Sequence, residues 1–201
     1  MRIGIVFTSM LVVAISLANS ATAAPRLAEL DTTSLYKQID QWLNNEIVTI
    51  SINAQNEKYT SLNQEQIIKL DKQWRAEAKQ ADKPLIAATL SSPLSVYLTR
   101  MQGQSYGLFV EIFVVGNKGL NVGQSSVTSD FWQGDEAKFQ KTFQVGPTAV
   151  FVDEPEWDDT FKIWRVQVNK SLTNPETNQL IGAATIEVNL TELARRQAIA
   201  N

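Results

Sequence analysis

The hydrophobic periodicity of this 201-residue chain changes once, near residue 107. Before that point, apolar side chains recur every three or four residues, which is the spacing of amphipathic helices. Beyond it, short runs rich in β-branched and aromatic residues alternate with turn sequences, which is typical of strands. A chain that separates helices from strands in this way is predicted to fold as α+β, with helices beside an antiparallel sheet.

The helical half contains three predicted helices. Asp31-Thr32-Thr33 and Ser61-Leu62-Asn63 supply side chains that favour helix N-caps, and Pro84 interrupts the pattern after the second helix. The expected helices cover residues 33–53, 62–80 and 93–101. We expect the first two to pack against each other as a hairpin.

The other half contains five predicted strands, which cover residues 108–115, 120–124, 149–152, 161–168 and 180–190. Asn117-Lys118-Gly119 joins the first two strands as a hairpin. The remaining elements are short helices over 130–139 and 191–200. The first of these is predicted because Trp132, Glu136 and Phe139 are spaced for one helical face.

The chain contains no histidine and no cysteine. This excludes Ser-His-Asp and Cys-His nucleophiles, thiolate zinc sites, haem ligation by these residues, and disulfides. Lys and Arg number 18 and Asp and Glu number 21, which gives a formal charge of −3 without a basic run. That balance favours neither nucleic acid nor an anionic membrane surface as a partner. We expect no cofactor, no metal and no enzymatic activity.

The acidic stretch 153–159 is the segment that most resembles a metal loop. It lacks the alternating carboxylates of a calcium loop, so a solvated hairpin is predicted instead. A pair of carboxylates can also serve a hydrolase, but no motif in the chain supports that reading.

The first 23 residues have the pattern of a secretory signal. Met1-Arg2 precedes an apolar run from Ile3 to Leu17, and Ala21 and Ala23 have the spacing of a cleavage site. Residues 24–201 are then expected to form a single domain in the periplasm. The alternative is an uncleaved N-terminal anchor.

Three segments carry a resemblance to a known family. They are the hairpin over 107–122, which turns at Asn117-Lys118-Gly119, the segment DFWQGDEAKF over 130–139, and the strand IGAATIEVNL over 181–190. Together they resemble an extracytoplasmic Cache (PDC) sensor domain, over about residues 30–195. The resemblance implies a PAS-like five-stranded antiparallel sheet with a long N-terminal helical segment.

The resemblance also implies a function. Cache domains bind a small metabolite, such as a carboxylate, an amino acid or an amine, between the sheet and the helices, and relay its presence to a signalling output. They usually sit between two membrane helices, whereas this chain ends at Asn201 without such an output. We therefore expect the signal to pass to a separate membrane signalling protein. A homodimer through the N-terminal helix is a further expectation from the family.

Six residues are candidates for contact with a ligand: Tyr106, Phe131, Trp132, Asp135, Lys138 and Arg165. The aromatic side chains would line a pocket and the polar ones would orient the ligand. Arg165 suits a carboxylate, because a guanidinium can bind it bidentately. The alternatives are core packing for the aromatic residues, a solvated helix face for Asp135 and Lys138, and a snorkelling surface side chain for Arg165.

Alternation along residues 161–168 places Arg165 and Gln167 on one face of the sheet, with Val166 and Val168 on the other. The small residues 182–184 are expected where a ligand or a helix backbone approaches the last strand, although ordinary packing explains them equally well.

Two functions are compatible with these observations. The first is a periplasmic sensor module that binds a small metabolite. The second is a ligand-free protein-interaction module that docks to a membrane signalling protein, which an exposed apolar face on residues 33–53 would favour.

Overall fold

The computed structural model describes residues 24–25 and 30–200. The predicted signal segment, residues 1–23, lies outside them. Within the described residues, the helices are α1 (Thr33–Leu43), α2 (Glu46–Lys58), α3 (Gln64–Glu77), α4 (Pro84–Leu90), α5 (Pro93–Gln104), α6 (Ala137–Gln140) and α7 (Leu190–Ala200). The strands are β1 (Phe109–Gly116), β2 (Asn121–Gln124), β3 (Val150–Val152), β4 (Glu156–Asp158), β5 (Ile163–Thr173) and β6 (Leu180–Asn189). None of the described helices is long and apolar enough to cross a bilayer.

The strands form one antiparallel sheet with the order β2-β1-β6-β5-β3. This confirms the predicted α+β class, with the helical segment preceding the sheet. A sixth strand, β4, pairs with β5 where a turn was predicted, so the expected strand count is wrong by one. The turn is shorter than expected because Asp158 Oδ1 accepts hydrogen bonds from the N–H groups of Thr160 (2.8 Å) and Phe161 (3.0 Å).

The two faces of the sheet differ in chemistry. The face toward α1, α2 and α5 is apolar and holds the largest core cluster, which includes Ile112, Val114, Val166, Val168, Ala184, Ile186 and Val188. The opposite face has a small apolar cluster, in which Phe113, Val115 and Ala183 pack against Phe139. It also carries Glu111, Gln167 and Glu187. Val166 and Val168 therefore lie on the face opposite Arg165 and Gln167, as the alternation predicts.

The predicted long helix over 33–53 is in fact two helices. α1 ends at Leu43, and Asn45 starts α2 by accepting a hydrogen bond from Ile47 N–H at 3.1 Å. An asparagine in this position satisfies an N–H group that the helix itself leaves unpaired. Apolar spacing alone missed the break, because both helices bury residues against the same core.

Helix α4 was not predicted. Two of its first N–H groups are satisfied by a residue outside the helix. Glu77 Oε2, at the end of α3, accepts hydrogen bonds from the N–H groups of Leu85 (2.8 Å) and Ile86 (3.0 Å). Such a long-range cap leaves no local sequence signal beyond Pro84 at the first position of the helix.

Gly182 is required by the neighbouring strand. A Cβ added there would overlap the carbonyl oxygen of Val115 in β1. The close approach expected at residues 182–184 is therefore made by a paired strand, rather than by a ligand or a helix backbone.

We predict that Gly182→Ala lowers the free energy of unfolding by about 1–3 kcal/mol. The added Cβ would overlap the carbonyl oxygen of Val115, and neither strand can move away without disturbing the β1–β6 ladder. Gly103→Ala is the matched control. It lies in α5 with nothing within 4 Å of its added Cβ, and should raise stability by about 0.5–1 kcal/mol. Urea unfolding measures both changes, and equal stabilities for the two variants would contradict the assignment.

Candidate functional site

A polar cleft lies against the face of the sheet opposite α1, α2 and α5. It consists of two adjoining cavities of about 230 and 300 Å³, within the range of small-molecule sites when taken together. Both cavities are lined by Lys138, Arg165, Gln167 and Glu187. The first also contacts Glu136, Ala137, Asp153, Glu154, Glu156 and Val166, and the second contacts Glu111, Phe113, Val127, Thr128, Ser129 and Gln133.

The wall of the cleft is the segment over 130–140. Its helix covers Ala137–Gln140, so the prediction of a helix over 130–139 is wrong for residues 130–136. Gly134 permits the observed path, since a Cβ there would overlap the indole of Trp132.

The main chain of the wall instead pairs with the hairpin turn before β2. Asn121 N–H donates to the carbonyl of Phe131 at 2.9 Å, and Gln133 N–H donates to the carbonyl of Gly119 at 2.7 Å. Carbonyl and N–H groups used in this way are not available to close helical turns.

Asp71 of α3 anchors the wall. Its Oδ1 accepts hydrogen bonds from the N–H groups of Phe131 (2.9 Å) and Trp132 (3.1 Å), and its Oδ2 accepts one from Arg75 Nε at 2.8 Å. Arg75 Nη1 in turn lies 2.6 Å from Asp130 Oδ1. One carboxylate, about sixty residues away in the sequence, thus determines the path of this segment.

Arg165 lies at the junction of the two cavities. Its Nη1 is 3.3 Å from both Asp158 Oδ2 and Glu187 Oε2. Its Nε is buried and has no hydrogen-bond partner in the described part of the chain. A buried donor of this kind gains free energy when an acceptor is supplied.

Glu187 projects from the central strand β6, where it is 7% exposed. In the register of the sheet it lies between Glu111 of β1 and Gln167 of β5. Burial is the main cause that raises its pKa above the ordinary value for a glutamate. Arg165 opposes that increase, and the charge of Glu111 adds to it.

Lys138 lies on the wall, opposite the sheet. Its Nζ is 2.8 Å from Glu136 Oε2 and 5.3 Å from the centroid of the Phe113 ring. Burial raises the pKa of Asp130. The positive charge of Arg75 opposes that increase.

The charge of the cleft is predominantly negative. Six lining residues are carboxylic acids and two are cations. Within the described residues, no group of three or more acidic, histidine or cysteine side chains has a geometry that could hold a metal ion. The excess of acidic side chains makes the electrostatic potential of the cleft negative.

The structure brings together two of the six predicted site residues, Lys138 and Arg165, in this cleft. Phe131 lies on the far side of the wall, where it is 1% exposed and stacks on Trp74 with ring centroids 5.2 Å apart. Trp132 directs its indole N–H to the carbonyl of Lys118 at 2.9 Å.

The other two predicted residues lie away from the cleft lining. Asp135 is an exposed residue of the wall, and its carbonyl accepts a hydrogen bond from Gln140 at 3.1 Å. Tyr106 is 85% exposed and has a positive φ of 51° in the turn that follows α5. The roles proposed for these residues in binding a ligand remain predictions.

Sequence reasoning missed Glu111 and Glu187, which the cleft brings next to Arg165. The available signal was a charged side chain within each of two strongly apolar strands, where a carboxylate is rarely buried without a partner. The acidic stretch 153–159 contains β4, which pairs with β5, and its Asp153, Glu154 and Glu156 are exposed, as predicted for a solvated hairpin. The same three residues also line the cleft.

No family model matches the chain, and no curated protein does. The sensory domain of the Campylobacter jejuni chemoreceptor Tlp3 is similar at 13% identity, over 81% of this chain and 65% of that chain, with a TM-score of 0.39. The ligand-binding domain of the Pseudomonas aeruginosa PAO1 amino acid chemoreceptor PctC, in complex with GABA, shares 16% identity over 74% and 60%, with a TM-score of 0.36.

The sensor domain of the V. cholerae histidine kinase DctB is also similar, at 11% identity over 81% of this chain and 57% of that chain, with a TM-score of 0.36. The chain thus spans less than two thirds of the length of these structures. All three are sensory or ligand-binding domains.

We predict that Glu187→Gln changes the pH dependence of stability. The raised pKa means that folding favours protonated Glu187, so its contribution is present below the unfolded value of about 4.5 and is lost as pH rises through the higher folded value. The stability of the variant relative to the wild type should therefore increase as pH rises from 4 to 7. Urea unfolding at each pH tests this, with the exposed rim variant Glu154→Gln as the control. A difference that does not change with pH would contradict the prediction.

Proposed function

We propose that this chain is a sensor module that binds a small metabolite in the polar cleft. The observation that carries the proposal is the pairing of opposite charges in one confined space. The partly exposed guanidinium of Arg165 lies there, with its Nη1 3.3 Å from the buried carboxylate of Glu187. Binding by these groups needs complementary charge and hydrogen bonds, and no covalent step.

Of the three metabolite classes considered, the cleft favours an amino acid. Glu111 and Glu187 offer carboxylates to an ammonium group, and the partly exposed guanidinium of Arg165 offers donors to a carboxylate. A simple carboxylate would meet the Arg165 donor but would also be repelled by the surrounding acidic residues. A simple amine would leave the Arg165 donor unsatisfied.

The secretory signal predicted over 1–23 supports export, so we propose that the module lies in the periplasm. We further propose that occupancy is read by a separate membrane signalling protein. Helix α7 offers a route for this, because it follows directly from β6, the strand that carries Glu187.

Thermal unfolding with L-valine, isobutylamine and isobutyrate, which share an isopropyl group, tests the ligand class. At one hundred times its dissociation constant a ligand stabilises by about 2.7 kcal/mol, which should raise the melting temperature by roughly 5–10 °C. We expect the amino acid to produce the largest shift, the amine a smaller one and the acid none.

Two variants locate the site. Arg165→Gln should abolish the advantage of the amino acid over the amine, and Glu187→Gln should weaken both. Lys170→Gln is the matched control, since Lys170 lies on the same strand but pairs with Asp40 on the opposite face. A larger shift with isobutyrate would overturn the ligand class. No shift with any amino acid or amine of a wider panel would overturn the sensor proposal and favour the ligand-free interaction module.

A further inference from the structure

A cavity of about 420 Å³, separate from the cleft, lies on the other side of the wall, between α2 and α4. We call it the α2–α4 groove. Its lining consists of Ile47, Ile50, Ser51, Ala54, Gln55, Lys58, Tyr59, Leu85, Ala88, Thr89, Ser92, Pro93, Asn121, Val122 and Phe131. The groove and the polar cleft have no lining residue in common.

The walls of the groove are mainly apolar. Ile47, Ile50 and Ala54 lie on one face of α2, at the spacing of successive helical turns, and Leu85 and Ala88 face them from α4. Ile50 is 61% exposed. Apolar side chains gathered along an open groove lose contact with water when an apolar ligand covers them.

The charge of the groove is opposite to that of the cleft. Lys58 is the one charged residue in the described lining, where no carboxylate is present. Its Nζ lies 5.2 Å from the centroid of the Tyr59 ring, and it forms no ion pair with a described residue. A lone cation beside apolar walls is complementary to a ligand with an apolar chain and one negative charge.

We propose that the α2–α4 groove binds an aliphatic carboxylate, whose chain lies between α2 and α4 and whose carboxylate pairs with Lys58. The site is independent of the cleft, because the wall separates the two and different residues line them. Failure of this proposal therefore leaves the proposed sensor function untouched.

The chain-length dependence of affinity is the first test. Hexanoate, octanoate and decanoate are titrated calorimetrically into the full chain, below the concentrations at which they form micelles. Burial of each added methylene should tighten binding about fourfold, since a buried CH₂ corresponds to roughly that factor. Octylamine should bind more weakly than octanoate, because it presents a cation to Lys58.

Paired variants place the site. Ala88→Trp fills the groove and should abolish binding of octanoate, whereas Ala87→Trp, at an exposed position of α4 outside the lining, should leave it unchanged. Lys58→Gln should weaken octanoate and remove its advantage over octylamine, and Lys37→Gln on α1 is the control. Lys58 and Lys37 are both exposed, so neither change is expected to disturb folding.

Four results would overturn the proposal. The first two are an affinity that does not rise with chain length and equal binding of octanoate and octylamine. The third is loss of octanoate binding in Arg165→Gln, which would place the ligand in the cleft. The fourth is a dimer of the full chain that Ala88→Trp converts to monomer, which would assign the groove to a second copy.

Discussion

Strand β6 is the element on which the rest of the structure depends, because it is paired on both edges and covered on both faces. Its Ala184, Ile186 and Val188 complete the apolar face under the helices. The same strand carries Glu187 on the other face, at a position that water scarcely reaches. Burial of a lone carboxylate costs several kcal/mol, and the neighbouring Arg165 offsets part of that cost.

The wall separates two cavities of different chemistry. Residues 130–136 are held by Asp71 and by pairing with the turn before β2, so they are irregular rather than helical. Gln133, Glu136 and Lys138 line the cleft, and Phe131 lines the groove. One short segment thereby separates a polar cavity from an apolar one.

The two cavities are expected to select ligands by charge. The cleft combines six carboxylic acids with two cations, and the groove has a single cation and apolar walls. We therefore expect a ligand suited to one cavity to bind poorly in the other. Its charge would be repelled there, or its polar groups would lose their hydration without gaining a hydrogen bond or an ion pair. This chain is thus expected to discriminate between zwitterionic and amphipathic molecules.

Periodicity in the sequence determined the α+β class, the order of most helices and strands, the hairpin at Gly119, and the faces of β5, since these depend on the spacing of side chains along one element. It also placed Lys138 and Arg165 among the candidates. Only the tertiary structure decided the non-helical path of residues 130–136, because its backbone partners come from Asp71 and from the turn before β2. The cleft likewise required the fold: Glu111, Arg165 and Glu187 meet through the register of three strands, and no local pattern in the sequence encodes that register.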